Sequence, residues 1–223
     1  MEFNISPPPV QKSSHRPKSR RRSRNSRNLK PVILVIFIIV AAGTLGYLAL
    51  APSFARLSNP NLSAWIGRQA PDFTLSSING STFNLKDYQG KSNVLLFFHE
   101  GLGCSPCLQQ IMALNSDYQS FKALNITVVA ISTDPQSSLS QWAKASGIGH
   151  IIVLSDQNLQ VDTTYQTLGS DVSMMPGGMA GHTFILVNGS GTIAWRADYG
   201  PGTMYVEDST ILQNVRSALS TSK

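Results

Sequence analysis

Apolar and polar positions alternate along the chain in blocks that set out its elements in order. Three runs are almost continuously apolar: "NVLLFFH" (Asn93–His99), "NITVVAIST" (Asn125–Thr133) and "HIIVLSD" (His150–Asp156). Runs of this length without polar alternation predict strands covered on both faces of a sheet. Ahead of them, short alternating stretches at Phe73–Leu75 and Thr82–Leu85 flank "INGS", which predicts a hairpin. Between the apolar runs the period changes. Leu108, Ile111, Met112, Leu114, Tyr118 and Phe121 fall at helical spacing. "DPQSSLSQWAKASG" predicts a second helix, with Asp134 as N-cap, Pro135 at the first helical position and Gly147 past the end. A short helix follows near Asn158–Leu168, then "HTFILVNGSGTIAWRAD", two strands joined by an "NGSG" turn. The last helix, in "VEDSTILQNVRSALS", has its apolar stripe at Ile211, Leu212, Val215 and Leu219. Trp142 and Trp195 read as core or strand packing, and Arg196 as an ordinary strand charge. Alternation of strand and helix, closed by a hairpin and a helix, predicts an α/β fold: a mixed central sheet with helices on both faces.

The N-terminal fifty residues follow another pattern. From Val32 to Leu50 the chain carries no charge and almost no polar side chain. About 19 residues at ~1.5 Å each span roughly 28 Å, close to the ~30 Å hydrocarbon core of a bilayer. Residues 31–51 are therefore expected to form a single transmembrane helix. A cleaved signal peptide is the rival reading, with "ALA" at Ala49–Ala51 as its cleavage site. Pro52 directly after the cut argues against it. Arg20–Arg22 supply twin arginines, but polar residues follow them, and the export signal they would make is weak.

Charge then changes the picture. Residues 1–30 hold nine of the eighteen Lys and Arg against one acid, a net +8, while residues 51–223 hold nine bases against eleven acids. The basic character belongs to a tail too poor in apolar residues to fold. No basic cluster lies on the folded part, which excludes a nucleic-acid-binding face there. The positive-inside rule places the tail in the cytoplasm and residues after the span outside it. The expected organisation is a disordered basic cytoplasmic tail (1–30), a transmembrane helix (31–51), a linker (52–65) and a folded domain (66–223). In the cell this is a single-pass protein of the cell membrane with its domain extracytoplasmic. The tail can also touch anionic lipid, worth ~1 kcal/mol per basic residue near the surface.

The two cysteines, Cys104 and Cys107, sit in "GCSPCLQQ", where the first apolar strand ends and the first helix begins. An extracytoplasmic compartment permits disulfides. Yet a domain of about 160 residues buries enough core to stand without a staple, and so short a loop gains little from one. A chemical role gains weight. At a helix N-terminus free N–H groups and the macrodipole favour a thiolate, the nucleophilic form. Cys-x-x-Cys spacing brings the second sulfur within bonding reach of the first. Pro106 falls in the first helical turn, where a missing N–H costs nothing.

"APDFTL", a hydrophobic strand, "CSPC" opening a helix and the closing "TFILVNGSGTI" hairpin together resemble the thioredoxin fold over roughly residues 64–222. More narrowly they resemble its redoxin branch, which holds alkyl hydroperoxide reductase/thiol-specific antioxidant proteins and membrane-tethered bacterial thiol-disulfide oxidoreductases. The resemblance implies an enzyme in which Cys104 attacks a substrate disulfide and Cys107 resolves the mixed disulfide. Its partners would be disulfide-containing proteins and an electron-donating thiol protein, with no cofactor. Three departures stand out. Thioredoxins carry a cis-proline before the hairpin strand, where this chain has Gly181 followed by His182. Many tethered oxidoreductases carry Glu three residues after the second cysteine, where this chain has Gln110. Peroxiredoxins need Thr or Ser three residues before the reactive cysteine and a nearby arginine. Gly101 stands at the first of these positions, and no arginine stands before the hairpin.

The remaining candidates line the pair. His182 could accept a proton or hold the thiolate, or it could be a strand-end histidine bonded to backbone. His99 and Glu100 could tune Cys104, or could be a solvated polar loop. Met174, Met175 and Met179 with His182 and the cysteines could hold Cu(I), or the methionines could simply pack over the site. Two cysteines are half a structural zinc site, and no metal is expected. Three functions follow: a thiol-disulfide oxidoreductase that reduces protein disulfides, a peroxiredoxin-like peroxidase, and a copper-binding carrier.

Overall fold

The structure is a computed structural model, and it describes residues 60–169, 180–200 and 202–221. The expected transmembrane segment at 31–51 and the methionines at 174, 175 and 179 lie outside the described residues. Among those described, no helix is long and apolar enough to cross a membrane.

A short helix α1 (Pro60–Ser63) leads into the hairpin of β1 (Thr74–Ser77) and β2 (Thr82–Asn84). Then come β3 (Asn93–Phe98), α2 (Ser105–Ser116), α3 (Tyr118–Lys122), β4 (Ile126–Ser132), α4 (Gln136–Ala145), β5 (Ile152–Ser155) and α5 (Gln160–Tyr165). The hairpin β6 (His182–Val187) and β7 (Ile193–Tyr199) precedes the last helix, α6 (Asp208–Thr221). The seven strands form one sheet in the order β2-β1-β5-β4-β3-β6-β7. β3, β4 and β5 run parallel, and β1, β6 and β7 join antiparallel to their neighbours.

The central strand β3 explains why the sheet is covered twice. Leu95 and Phe97 join the core with Ile111, Leu114, Phe121, Leu139, Ile211 and Val215, from the helices α2, α3, α4 and α6. Val94, Leu96 and Phe98 point the other way, to Trp65, Phe83, Leu85, Val161 and Tyr165. Successive side chains alternate faces, so a strand buried on both must be apolar throughout. Each such side chain, fully buried, stabilises the fold by about 1.5–3 kcal/mol.

Two expectations are corrected here. Asp134 is not the N-cap of α4. Pro135 holds the cap with extended backbone and the helix starts at Gln136, because the Asp134 carboxylate is engaged elsewhere, by Leu102 N–H and the Ser132 hydroxyl. Arg196 is more than an ordinary strand charge. Its guanidinium is buried, paired with Asp198 at 3.0 Å, and donates to the carbonyls of Tyr165 at 2.7 Å and Gln166 at 2.9 Å. It also lies 5.0 Å over the ring of Trp65, which in turn stacks on Tyr165. One arginine thus closes the C-terminal end of α5 and anchors Trp65, at the end of the segment expected to be a linker.

Candidate active site

Cys104 and Cys107 form a disulfide. Cys104 caps α2 with extended backbone, and its sulfur accepts the Cys107 N–H at 3.2 Å. Pro106 occupies the first turn as expected. The pair is asymmetric in access: Cys107 is 0% exposed and Cys104 4%, flanked by exposed Gly103 and Ser105. Met204, from the segment leading to α6, packs against both cysteines. Nothing in the spacing of the sequence marked Met204, and only its apolar character in a polar stretch could have.

His182 opens β6, and its Nδ1 lies 3.8 Å from Cys107 Sγ. The imidazole is fully buried among Phe97, Phe184 and Tyr199. Burial pushes it down to about 3, so it is uncharged at neutral pH. His99 directly follows β3, and Phe97 packs against both imidazoles (ring centroids at 5.3 and 4.6 Å). Burial first, and the proximity of His182 second, push His99 down to about 3 as well. Its Nδ1 accepts the Gly101 N–H at 3.1 Å. Nε2 of each histidine has no hydrogen-bond partner among the described residues.

Glu100 is buried, and a carboxylate oxygen, Cys104 Sγ and Cys107 Sγ all lie within 4.8 Å of one another. The solvated-loop alternative for His99 and Glu100 therefore fails. Two ties fold the loop inward: the His99–Gly101 bond above, and Leu102 N–H donating to Asp134 at 2.9 Å. Gly101 makes this possible. Its φ is +93°, and a Cβ there would collide with the Asp134 carboxylate.

Gln110, where tethered oxidoreductases carry Glu, is buried and turned away from the sulfurs. Its Oε1 accepts from Val206 N–H at 2.8 Å and its Nε2 donates to Asp208 at 3.1 Å. Gly181, at the cis-proline position, has its N–H donating to the Thr167 carbonyl at 2.8 Å, and no peptide among the described residues is cis. Of the expected lining residues, the structure brings His182, Glu100 and Pro106 to the pair and holds His99 one residue behind, stacked on Phe97.

A dithiol pair on the first turn of a helix that follows the central strand of such a sheet defines a thioredoxin-like redox domain. Residues 66–196 match the AhpC/TSA family, and the chain belongs to it. It is a thiol-based redox enzyme, as its relatives are. It is 27% identical over 128 residues to the thiol-disulfide oxidoreductase ResA of Geobacillus thermodenitrificans, covering 57% of this chain and 70% of that protein. It is 34% identical over 133 residues to peroxiredoxin prdx-2 of Caenorhabditis elegans (56% and 62%) and 30% identical over 128 residues to ResA of Bacillus subtilis (57% and 64%). The chain thus spans less than two thirds of the latter two relatives. Among solved structures, peroxidoxin BcpB of Mycobacterium tuberculosis superimposes with a TM-score of 0.59 at 18% identity, covering 68% of this chain and 96% of that one. Peroxiredoxin 6 of Arenicola marina gives 0.62 at 17% (71% and 74%). At these identities the superpositions establish the fold alone.

Proposed function

We propose that the protein is a membrane-anchored thiol-disulfide oxidoreductase whose domain works outside the cytoplasmic membrane and reduces disulfides in protein substrates. The observation that carries this is the asymmetric Cys104–Cys107 pair on the N-terminal turn of α2. The anchor and the orientation rest on the apolar run at 32–50 and the basic tail before it.

In the reducing direction Cys104 thiolate attacks a substrate disulfide, an S–S bond forms between enzyme and substrate, and the first substrate thiolate leaves. Cys107 then loses its proton and attacks Cys104 Sγ. The second substrate thiolate departs, and two electrons have passed from the dithiol to the substrate. An electron-donating thiol protein returns the pair to the reduced form. The Cys107 N–H donates to Cys104 Sγ, and the start of α2 adds its dipole, so the attacking sulfur is stabilised as an anion. His182 Nδ1 at 3.8 Å and a Glu100 carboxylate oxygen within 4.8 Å both face Cys107 Sγ, the sulfur that must lose its proton.

The test is the reduction potential of the full chain equilibrated against glutathione and dithiothreitol. The proposal expects a reversible value near that of thioredoxin, about −270 mV. It also expects Cys107→Ser to trap a mixed disulfide with substrate, and Cys104→Ser to trap none. A value near −120 mV would reverse the direction to disulfide formation. The absence of a reversible disulfide would overturn the reading.

Similarity to prdx-2 favours a second reading, a peroxidase in which peroxide oxidises Cys104 through sulfenic acid to the same disulfide. Rapid, saturable consumption of hydroperoxide by the reduced chain would support it, and a slow, unselective reaction would remove it.

A further inference from the structure

We propose that Met204 is a specificity-determining residue for the return of electrons to the pair: its side chain shields the Cys104–Cys107 disulfide from small thiols and yields to a thiol carried on a protein. The inference rests on the oxidoreductase reading and gives the chemical class of the donor. Among the described residues, the two cysteines share their buried cluster with one other side chain, that of Met204. The disulfide-bonded form is the one that a donor meets. In it Cys104 and Met204 are each 4% exposed and Cys107 0%. A donor thiolate must reach a sulfur to attack it, and a pair so covered offers too little surface until a neighbour moves.

The backbone on either side of Met204 is tied down. Thr203 N–H and the Thr203 hydroxyl both donate to the Gly200 carbonyl, at 3.1 and 3.2 Å. Val206 N–H donates to Gln110 Oε1 at 2.8 Å, and Gln110 Nε2 donates to Asp208 at 3.1 Å. Gln110 stands one turn past Cys107 on α2, so the helix that carries the sulfurs also sets the place of Met204 beside them. Burial alternates along this stretch, with Met204 in, Tyr205 out and Val206 in. What moves is therefore the methionine side chain itself. It is unbranched, turns about three bonds and packs on irregular surfaces.

Lifting a buried methionine into water forfeits its burial, which leaves the disulfide open in roughly one molecule in ten to one in a hundred. A small thiol makes too few contacts to offset this, and its rate falls by the same factor. A protein donor covers the methionine again with its own apolar surface, and its contacts away from the sulfur hold the open form. The donor thiolate then bonds to Cys104 Sγ, the Cys104–Cys107 bond breaks, and Cys107 takes up a proton. The donor's second thiolate attacks the donor sulfur of the mixed disulfide, and Cys104 leaves as a thiolate. The donor is oxidised by two electrons to its disulfide as the pair is reduced. The donor is thus a protein dithiol rather than a free small thiol.

The experiment mixes the oxidised full chain, in mild detergent, with dithiothreitol or with reduced thioredoxin as the protein dithiol. Acid quench and alkylation then count the reduced chain over time. Met204→Ala is expected to raise the dithiothreitol rate about tenfold or more and to change the thioredoxin rate by less than about twofold. Met204→Leu, which restores the apolar bulk, should return the dithiothreitol rate to near that of the parent. Leu85→Ala, in the core on the other face of the sheet, controls for general loosening and should leave both rates as they are. Melting of the oxidised variants reports their folding, and if Met204→Ala fails to fold, Met204→Val decides alone, with a smaller rise in the same direction. Three results overturn the proposal: a dithiothreitol rate unchanged on shortening Met204, both reagents accelerated alike, or an equal rise in Leu85→Ala. Reduction of insulin disulfides by the reduced chain separates this inference from the reading it rests on. A chain that reduces insulin, but whose dithiothreitol rate ignores Met204, overturns the shield alone. A chain that shows the Met204 effect and reduces no insulin disulfide overturns the oxidoreductase reading instead.

Discussion

Replacing Gly101 by alanine tests whether the loop that carries Glu100 is held as described. Two costs arise together. The first is backbone: at φ +93° an L-residue sits in a sparsely populated region, at about 1–3 kcal/mol. The second is steric. The new methyl collides with the Asp134 carboxylate, which accepts from Leu102 N–H at 2.9 Å and from the Ser132 hydroxyl at 3.0 Å. Moving that carboxylate forfeits one or both bonds, at about 1–3 kcal/mol. The expected loss is about 2–6 kcal/mol, a fall of roughly 5–20 °C in Tm for a domain of this size. The assay is thermal melting of the oxidised full chain in mild detergent, followed by near-ultraviolet circular dichroism, with the reduction potential as readout of the site. A double-mutant cycle separates the two costs. Asp134→Ala alone destabilises, but in the Gly101→Ala background it removes the obstacle, so the pair is less harmful than the sum by about 1–3 kcal/mol. A fall in Tm under roughly 2 °C for Gly101→Ala, or strict additivity in the cycle, would refute the reasoning.

Further outcomes follow from groups around the site. Arg196→Leu leaves the carbonyls of Tyr165 and Gln166 and the Asp198 carboxylate without their cation, and should destabilise by about 3–5 kcal/mol in melts. Arg196→Lys should recover part of this, and a loss no larger than that of a surface substitution would show the cluster to be idle. Asp162 is buried beside Asp156, whose carboxylate accepts three backbone N–H groups. Burial pushes Asp162 up to about 8, so the folded state holds a proton that the unfolded state loses above about 4. Stability contributed by that proton is full below about pH 4 and is lost as pH rises through about 8. Asp162→Asn should flatten the fall in Tm between pH 5 and 8, and an unchanged slope would reject the assignment. Gln110→Glu should set a second carboxylate against Asp208, which burial holds up at about 6. The variant should be destabilised by about 1–3 kcal/mol at pH 8 and less at pH 5, where the two acids share a proton. Equal melting at both pH values would count against it.

The elements were legible because two periods of the sequence map directly onto burial. The uninterrupted apolar runs became β3, β4 and β5, since both faces of each meet a packed layer. The hairpins and the helix at Asp208–Thr221 came equally from turn chemistry and a 3.6-residue stripe. What failed was partnership. Asp134 before Pro135 carries every local mark of a cap, yet a loop 32 residues earlier offers it better donors. Arg196 beside Trp195 looks like a strand charge because its acceptors, at 165 and 166, are distant in sequence. The cysteines were legible as a redox pair from spacing and position. Glu100 and His182 were legible as candidates beside the pair, and the structure places each near the sulfurs, whereas Met204 was not, because chain closure ahead of the last helix brings it there.

The departures at Gly101 and Gln110 have one physical explanation. An acid on α2, one turn past Cys107, would have to share its place with Asp208 and with the Val206 N–H. A neutral amide satisfies both at once, because it accepts from one and donates to the other, as a carboxylate cannot. The carboxyl group near the sulfurs comes instead from the loop after β3, as Glu100. Bringing it inward needs backbone at φ +93° and a close pass by Asp134, which glycine alone allows at 101. The Thr or Ser that a peroxiredoxin places there would meet the same carboxylate. So the residue that admits Glu100 to the pair is also the one that leaves no hydroxyl three residues before Cys104.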